Sequence, residues 1–518
     1  MSPRLAAAFK LLPNYLGQHV LLSAAALALG LVVSLPLAVA ASRSARLRWT
    51  VLTVAGAVQT IPSLALLALF YPLLLALSAL AKSLFGVGFS ALGFLPSLLA
   101  LALYSMLPIL RNTVAGLTGV DAAIVEAAKG VGMTDRQRLF QVELPLAAPV
   151  IMAGVRTAAV WTIGAATLST PVGQTSLGDY IFSGLQTEDW VLVLFGCAAA
   201  AGLALIVDQL LGLIEAGAAQ RDLKRIAIGG VGLIVGVLAA LAPMAWAGSS
   251  AAPVVIGAKN FSEQYILADL MTDRLNAAGY GVRQKDDLGS AVAYRAVASG
   301  EVDAYVDYSG TLWTNVLKRT DDPPRAVLLE QLAQILKQRD GVVVEGALGF
   351  ENAYALAMRR ARAEALGIRT LDDLARRAPD LTLGSDLEFL SRPEWAALRS
   401  AYGLKFKAER RFQPTFMYKA VTGGDVDVIS AFSSDGRIAA DDLVVLTDPR
   451  QAIPPYDAVI LVSARRAADP RFMAALRPLV GAIPVEAMRA ANLSVDRQDN
   501  KLTPAQAAAA LAARLKLR

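Results

Sequence analysis

Charged residues are distributed very unevenly along this 518-residue chain, and this constrains its fold more than any single motif. Residues 1–248 contain 24 Asp, Glu, Lys and Arg residues, whereas residues 249–518 contain 68. Soluble domains carry about 25% charged residues, so a half with long Leu and Ala runs and so few charges does not fold in water. The sequence predicts an all-α membrane domain over 1–248 and a soluble domain over 249–518, joined by a short linker of mostly small residues at 246–253.

Six stretches of the first domain are long and apolar enough to cross a bilayer as helices. A hydrocarbon core about 30 Å thick needs roughly 20 such residues. The second stretch is longer than one crossing requires, and Pro62 and Pro72 are its expected break points. Asp208 lies inside the fifth, where it is expected to face a neighbouring helix or a pathway between the helices, because facing lipid would be costly. The candidate spans are 19–41, 50–80, 91–110, 146–168, 190–214 and 226–247.

Basic residues indicate the orientation of these spans. They cluster after the first, third and fifth spans, which places all three clusters on the cytoplasmic side if the N-terminus is outside. The sixth crossing then delivers the soluble domain to the periplasmic or extracellular side. The sequence therefore predicts a multi-pass protein of the cytoplasmic membrane. The clusters are Arg43, Arg46 and Arg48; Arg111, Lys129, Arg136 and Arg138; and Arg221, Lys224 and Arg225.

Composition also argues against several classes of function. The net charge of +6 comes without a block of basic residues, so nucleic-acid binding is not expected. Cys197 is the only cysteine and His19 the only histidine, which excludes an intrachain disulfide, a thiolate metal cluster and a His-rich metal site. The second domain has no nucleophile–histidine pair. A non-enzymatic chain without metal or cofactor is expected.

A charged loop over 121–145 separates the third and fourth spans. Its pattern predicts a helix over 121–131, a break at Gly132, a second helix over 134–141, and a proline that opens the next span. The Glu-Ala-Ala triplet at 126–128, the following glycine and the hydrophobic-x-Leu-Pro ending at 142–145 are in register with one another.

This loop resembles the EAA loop of ABC importer permeases, whose two short helices dock into a groove on the ATPase subunit. The resemblance implies that the coupling residues are Glu126, Ala127, Gly132 and Pro145. The chain contains no G-x-x-x-x-G-K-[ST] phosphate loop of its own, so a separate ATPase subunit, acting as a dimer, is the expected partner. One six-span unit does not enclose a pathway alone, which favours a homodimer of this chain in the lipid bilayer.

In the second domain, short apolar runs alternate with helical ones, which predicts an α/β fold with mostly parallel sheets. Ligands in such folds bind at the carboxyl ends of strands, near helix N-termini. Polar and aromatic residues occupy several of these positions. The expected strands are 254–258, 302–308, 353–358, 381–385, 426–432, 443–448 and 457–463.

Three blocks of this domain carry a second resemblance. They are IGAKNFSEQYILADLM, LGSAVAYRAVASGEVDAYVDYSGTLW and MYKAVTGGDVDVISAFSSDGRI, and they are similar to the substrate-binding domain of glycine betaine/choline/carnitine uptake systems. This resemblance implies a two-lobed type II periplasmic binding protein. Members of that group hold a quaternary ammonium in a cage of aromatic rings, while lysine and hydroxyl groups hold a carboxylate when the ligand has one.

Carried over block by block, the resemblance implies six ligand-binding residues. Lys259 and the helix start at Ser290 suit a carboxylate, and the remaining four suit the cation because aromatic faces stabilise it. Ser290 stands where the family commonly has threonine. Asp286 and Asp287 lie just upstream, where some betaine binders have a cage tyrosine, and an acid there favours a cation without a carboxylate, such as choline. The expected cage residues are Tyr308, Tyr418, Tyr354 and Phe432.

Together these features predict the permease and substrate-binding subunit of an ATP-driven importer for quaternary ammonium osmoprotectants such as glycine betaine, choline or carnitine. Two alternatives stay open at this point. One is an importer of amino acids or other small cations. The other is a membrane-anchored ligand sensor, although the chain has no cytoplasmic output domain and a sensor would leave the loop at 121–145 unexplained.

Overall fold

The computed structural model describes residues 3–86, 88–187, 189–246, 253–319, 321, 323–497 and 499–517. The chain forms two compact units. The membrane unit comprises Met1–Phe182 and Val191–Ser249, and the binding unit comprises Ser183–Trp190 and Ser250–Arg518. Most of the expected linker at 246–253 lies outside the described residues.

The described part of the membrane unit consists of helices joined by short connections. Six helices among the described residues are long and apolar enough to cross a membrane, which confirms the expected number of spans. In chain order, the first ten helices are α1 Pro3–Ser42, α2 Ala45–Thr60, α3 Ser63–Phe85, α4 Phe94–Thr118, α5 Ala122–Gly130, α6 Asp135–Arg138, α7 Leu144–Ala166, α8 Gly178–Gln186, α9 Trp190–Gln220 and α10 Leu223–Trp246.

Helices α1, α4 and α7 form the centre of this unit and approach one another closely at glycines. A Cβ atom on Gly30 of α1 would lie 1.9 Å from the Ser105 hydroxyl of α4. One on Gly154 of α7 would lie 2.8 Å from the Pro108 carbonyl of α4. Small residues allow membrane helices to pack backbone to backbone, so these positions hold the three helices together.

The second expected span is broken at one of its two prolines. The helix stops between Thr60 and Ser63, and the Tyr104 hydroxyl donates to the Ile61 carbonyl that the break leaves open. The expected break at Pro72 is wrong, because this proline lies inside α3. An apolar environment favours a continuous helix, since it offers no water to the backbone groups that a break would expose.

The binding unit alternates strands and helices, as expected for an α/β fold. Its strands are β1 Val254–Lys259, β2 Val282–Leu288, β3 Ala304–Tyr308, β4 Val343–Glu351, β5 Tyr354–Arg359, β6 Thr382–Ser385, β7 Ala408–Arg411, β8 Val428–Phe432, β9 Leu443–Val445 and β10 Asp457–Val462. Its helices are α11 Ser262–Ala277, α12 Ser290–Ser299, α13 Ser309–Thr311, α14 Arg325–Asp340, α15 Arg360–Leu366, α16 Leu371–Arg377, α17 Pro393–Tyr402, α18 Pro414–Gly423, α19 Arg437–Ala440, α20 Ala464–Ala467, α21 Pro470–Leu476, α22 Val485–Asp496 and α23 Pro504–Arg514.

The strands form two five-stranded sheets, in the orders β2-β1-β3-β10-β4 and β7-β6-β8-β5-β9. The expectation of mostly parallel sheets holds for four strands of each sheet, which run in one direction, and the fifth strand makes each sheet mixed. Strand β10 runs antiparallel to β3 and β4, and β5 runs antiparallel to β8 and β9. Strands β5 and β10 are the two that follow a crossing of the chain from one sheet to the other. Each runs against the direction of the other four strands of its sheet.

Two buried acids of the binding unit have pKa values well above the ordinary range for aspartate. Burial raises the pKa of Asp269 to about 6, although a hydrogen bond from the Gln284 side chain opposes the shift. Burial raises the pKa of Asp287 to about 7, although the Tyr265 hydroxyl donates to this carboxyl. The backbone φ of Asp287 is +60°, a left-handed conformation that asparagine also tolerates.

These shifts predict a pH-dependent stability. The folded state holds protons that the unfolded chain releases near pH 4, so the free energy of unfolding falls as pH rises from about 4 to 7. Replacing Asp287 with asparagine removes one such group and reduces this slope by about 1 kcal/mol per pH unit at most. Thermal unfolding of the purified chain between pH 5 and 7 measures it. Asp273→Asn, at an exposed position of α11, is the control. Equal slopes of the free energy of unfolding against pH for the two variants would contradict the raised pKa of Asp287.

Candidate solute-binding site and coupling loop

A cleft between the two sheets of the binding unit contains a cavity of about 180 Å³. It is lined by the carboxyl ends of β1, β3 and β8, the start of β5, and the N-terminal ends of α11 and α12. This volume lies below the roughly 300–1,000 Å³ typical of sites for drug-sized molecules, so the cavity suits a small solute.

Five aromatic side chains face this cavity. The Phe261 and Phe432 rings lie parallel with centroids 6.5 Å apart, and the Phe261 and Tyr308 rings are 6.2 Å apart. Tyr354 lies 4.7 Å from Phe432 and 6.3 Å from the nearly perpendicular ring of Tyr456. These rings surround a small space with the π-electron faces and edges that suit a cation without N–H groups.

Five of the six expected ligand-binding residues line the cavity. They are Lys259, Ser290, Tyr308, Tyr354 and Phe432.

Tyr418 is placed elsewhere. It lies on α18, buried in an apolar cluster, and the guanidinium of Arg437 stacks on its ring at 4.0 Å. Arg437 itself lines the cavity, so Tyr418 supports the wall from behind. Asp286 and Asp287 are likewise not among the residues that line the cavity, which removes the reason to expect a cage acid there.

Lys259 is buried and already has a partner. Its ammonium forms an ion pair with Asp307, which also accepts hydrogen bonds from the Tyr305 hydroxyl and the Tyr308 amide. Burial lowers the pKa of Lys259, although Asp307 opposes this shift. The ammonium also lies 5.2 Å from the centroid of the Tyr308 ring. Because its charge is balanced inside the protein, Lys259 is less suited to a ligand carboxylate than the sequence implied.

Arg392 supplies the cation that Lys259 does not. Its side chain is only 10% exposed, lines the cavity, and lies over the Tyr354 ring at 5.1 Å. Nη2 donates to Glu388 at 2.8 Å. Nε and Nη1 make no hydrogen bonds within the described part of the chain, although Nη1 lies 3.7 Å from the Glu394 carboxylate. A buried guanidinium with open donors fits a carboxylate, which can accept two parallel bonds from it.

A buried carboxylate organises the opposite wall. Glu263 accepts hydrogen bonds from the Tyr308 hydroxyl at 2.6 Å, from Asn352 at 3.1 Å and from Asn492 at 2.8 Å. Burial raises the pKa of Glu263, and these neutral donors only partly offset it. The Oδ1 atoms of Asn352 and Asn492 have no hydrogen-bond partner among the described residues, so two acceptors remain open beside the cavity.

Acidic side chains outnumber basic ones around the cavity, which favours a ligand that carries a positive charge. The acidic residues are Glu263, Asp386, Glu388, Asp435 and Asp496, and the basic ones are Lys259, Arg392 and Arg437.

Sequence reasoning missed several of these residues. Phe261 and Glu263 belong to the polar and aromatic segment that the sequence places directly after the first strand, but they were not among the expected ligand-binding residues. Arg392 and Tyr456 offered no such signal. They come from segments between strands, next to prolines, and only the folding of distant parts of the chain brings them to the cavity.

The coupling loop has the helix–break–helix geometry that its sequence predicted. Helix α5 ends at Gly130, Gly132 adopts a left-handed φ of +82°, and α6 begins with a capping box formed by Thr134 and Gln137. A π-helical turn over Leu139–Glu143 joins α6 to α7.

The expected coupling residues lie on the surface of the membrane unit. Glu126, Ala127, Gly132 and Pro145 are all exposed. So are three large apolar side chains of the same loop, Ile124, Val131 and Phe140. An exposed apolar patch of this kind, with charged residues around it, is typical of a surface that binds another protein.

Ion pairs hold the loop to the rest of the unit. Arg138 Nε donates to Glu143 at 2.7 Å, and Arg43, just after α1, reaches the same carboxylate at 3.3 Å. The Arg138 and Glu143 side chains are 9% and 12% exposed, so the pair is largely shielded from water. The loop is therefore joined both to the chain just after α1 and to the start of α7.

Two family models match the chain. Residues 252–514, just over half of it, match the substrate binding domain of ABC-type glycine betaine transport systems. Residues 29–220 match the inner membrane component of binding-protein-dependent transport systems.

Individual proteins show similarity to both halves or to one. The ergothioneine transport permease/ergothioneine binding protein of Helicobacter pylori strain G27 is 29% identical over 449 residues, 83% of this chain and 77% of the relative. The glycine betaine/carnitine/choline transport system permease protein of Bacillus subtilis strain 168 is 41% identical over 199 residues, 38% of this chain and 84% of the relative.

A crystal structure of a glycine betaine/carnitine/choline ABC transporter protein is 27% identical. It aligns with 50% of this chain and 98% of its own length, with a TM-score of 0.45. The family matches identify the chain as a multi-pass ABC importer subunit. It belongs to the family of ABC-type glycine betaine substrate-binding domains, fused here to an inner-membrane permease component.

Proposed function

We propose that the imported solute is a quaternary ammonium compound that also carries a carboxylate, as glycine betaine and carnitine do. The observation that carries this proposal is the set of five aromatic rings around one small cavity whose walls contain an excess of acids. A trimethylammonium group has no N–H to donate, so ring faces and nearby carboxylates are the groups that stabilise it.

The open donors of Arg392 are the reason to add a carboxylate to the solute. A guanidinium that is nine-tenths buried gains most when a second anion completes its hydrogen bonds. Choline lacks such a group and would leave Nε and Nη1 without partners. The cavity therefore favours zwitterions over simple cations.

The open Oδ1 atoms of Asn352 and Asn492 favour a solute with an additional N–H or O–H group. Carnitine has a hydroxyl. Ergothioneine, after which the Helicobacter pylori relative is named, is a trimethylammonium betaine with ring N–H groups.

An α-amino acid is the second candidate class, because its ammonium could donate to the same two oxygens. The secondary ammonium of proline offers two N–H groups, and cationic amino acids would add a charge opposite the acids.

Calorimetry on the purified chain distinguishes these classes. Glycine betaine, carnitine, ergothioneine and choline form the quaternary panel, and proline, arginine and histidine form the amino-acid panel. Binding of at least one quaternary zwitterion, more tightly than any amino acid, is the expected result. Binding confined to amino acids would overturn the proposal.

Arg392→Gln is expected to separate zwitterions from simple cations. Loss of a charge-assisted hydrogen bond costs about 1.5–3 kcal/mol, so affinity for the zwitterion should fall by about 10–150-fold. Choline has no carboxylate, and its affinity should change by much less. Titration calorimetry measures both. Arg399→Gln is the control, because Arg399 lies on α17, the helix that begins directly after Arg392, and does not line the cavity. An equal loss for choline and betaine would contradict the assignment of Arg392.

Phe432→Leu is expected to weaken cation binding while Tyr418→Phe leaves it unchanged. Phe432 faces the cavity, and removal of one ring costs about 0.5–2 kcal/mol, or roughly 2–30-fold in affinity. Tyr418 lies behind Arg437, and its hydroxyl has no hydrogen-bond partner among the described residues. The same calorimetric titration compares the two variants. Greater loss in Tyr418→Phe than in Phe432→Leu would return Tyr418 to the cage.

We further propose that the binding unit lies on the periplasmic or extracellular side and that the chain acts as a homodimer. We also propose that the loop at 121–145 receives the force of ATP hydrolysis. The permease family requires a separate ATPase subunit. The exposed apolar patch around Val131, which is 75% exposed, supports the loop as its docking surface. Under this proposal Glu126, Ala127, Gly132 and Pro145 contact or position that subunit.

Gly132→Val tests the loop against a matched control. Valine is strained at a φ of +82°, so the angle between α5 and α6 should change and solute-stimulated ATP hydrolysis by the reconstituted complex should fall at least about tenfold. Gly130→Val is the control, because Gly130 is helical and has open space around its Cβ direction. Solute binding should be unchanged in both. Full ATPase stimulation in Gly132→Val, or hydrolysis by this chain alone, would refute the scheme.

A further inference from the structure

A second cavity, in the membrane unit, has a chemistry that the binding unit does not explain. It has a volume of about 400 Å³ and lies between α7 and α9. Three charged residues and one tryptophan line it, and we call it the permease cavity. They are Arg156, Trp161, Asp208 and Glu215.

Arg156 and Asp208, two of the three charged residues of the permease cavity, lie within helices that are long and apolar enough to cross a membrane. Arg156 is 12 residues into α7 and Asp208 is 18 residues into α9, which corresponds to about 18 Å and 27 Å along helices that cross a core about 30 Å thick. Charged groups at such depth are costly in lipid, and they occur where a protein surface or water receives them.

One guanidinium serves two carboxylates in this cavity. Arg156 Nη2 donates to Asp208 at 2.7 Å, and Nη1 donates to Glu215 at 3.2 Å. The three side chains remain 35%, 21% and 29% exposed, so the cluster is open to the cavity. A pair that served only to join α7 to α9 would need one acid. The second acid leaves a net negative charge facing the space.

The aromatic ring lies on the outer side of this charge. Trp161 follows Arg156 by five residues towards the end of α7, and its side chain is 54% exposed. Glu215 lies seven residues beyond Asp208, about 10 Å deeper along α9. An indole face, an ion pair and a second carboxylate thus line one cavity.

We propose that the permease cavity is a transient site for the quaternary ammonium head of the solute as it passes through the permease. This inference rests on the proposed function. The cation contacts the Trp161 face first and then the net negative charge that Arg156, Asp208 and Glu215 carry together. Anionic lipid headgroups are repelled by the same charge, and an inorganic cation would gain little from the indole.

Saturation-transfer NMR with tetramethylammonium on the full chain in nanodiscs tests this site. The chain carries Tyr354→Leu and Phe432→Leu. These changes weaken binding in the cavity of the binding unit, which we call the solute cavity, and leave a residual signal. Trp161→Leu should reduce that residual signal by about 2–30-fold, the value of one cation–π contact, and Glu215→Gln should reduce it as well. Trp161→Tyr retains a ring and should restore most of it. Asp222→Asn, which removes the acid paired with Arg225 between α9 and α10 and does not line the permease cavity, is the control and should have no effect.

The outcomes separate this inference from the proposed function. No residual signal, or one unaffected by Trp161→Leu and Glu215→Gln, overturns the permease cavity site. If Tyr354→Leu and Phe432→Leu leave the signal unchanged and Trp161→Leu reduces it, the result supports the permease cavity as a binding site and refutes the solute cavity as one.

Discussion

The solute cavity depends on the buried ion pair between Lys259 and Asp307, which joins the ends of two neighbouring strands. Asp307 also fixes the Tyr308 backbone, and the hydroxyl of that tyrosine donates to Glu263. Glu263 in turn binds Asn352, at the crossing between the two sheets. Removing one member of such a buried network leaves an unpaired charge or donor, which costs far more than the intact pair contributes. The network therefore sets the positions of the aromatic rings before any solute arrives.

The same rule, that charged and polar groups removed from water need partners, also explains contacts in the membrane unit. Within its described spans, Arg156 and Asp208 face each other instead of lipid, and the Ile61 carbonyl left open by the helix break receives the Tyr104 hydroxyl. Proline alone does not decide where such a helix breaks. Pro72 lies inside α3, whereas Pro62 follows a break that a neighbouring helix can satisfy. The chemistry of the neighbours, which is absent from a linear sequence, makes the difference.

Prediction from the sequence succeeded where a local pattern carries the information. Apolar length identified the spans, and the positions of Lys259, Ser290 and Tyr308 at strand ends or helix starts placed them beside one cavity. Prediction was incomplete where the position of a residue depends on contacts between distant parts of the chain. Arg392 and Tyr456 reach the cavity from segments with no distinctive pattern. Tyr418 belongs to one of the three sequence blocks that carry the resemblance, yet its side of α18 faces the apolar cluster.

The presence of both compact units on one polypeptide has a consequence for kinetics. A separate binding protein must diffuse to its permease, and its encounter rate depends on its abundance. A tethered one has an effective concentration on the order of millimolar, whatever the expression level. Each permease copy then carries its own receptor, so uptake at low solute is limited by capture and turnover and not by docking. The cost is a fixed ratio: the cell cannot raise its capture capacity without also making more permease.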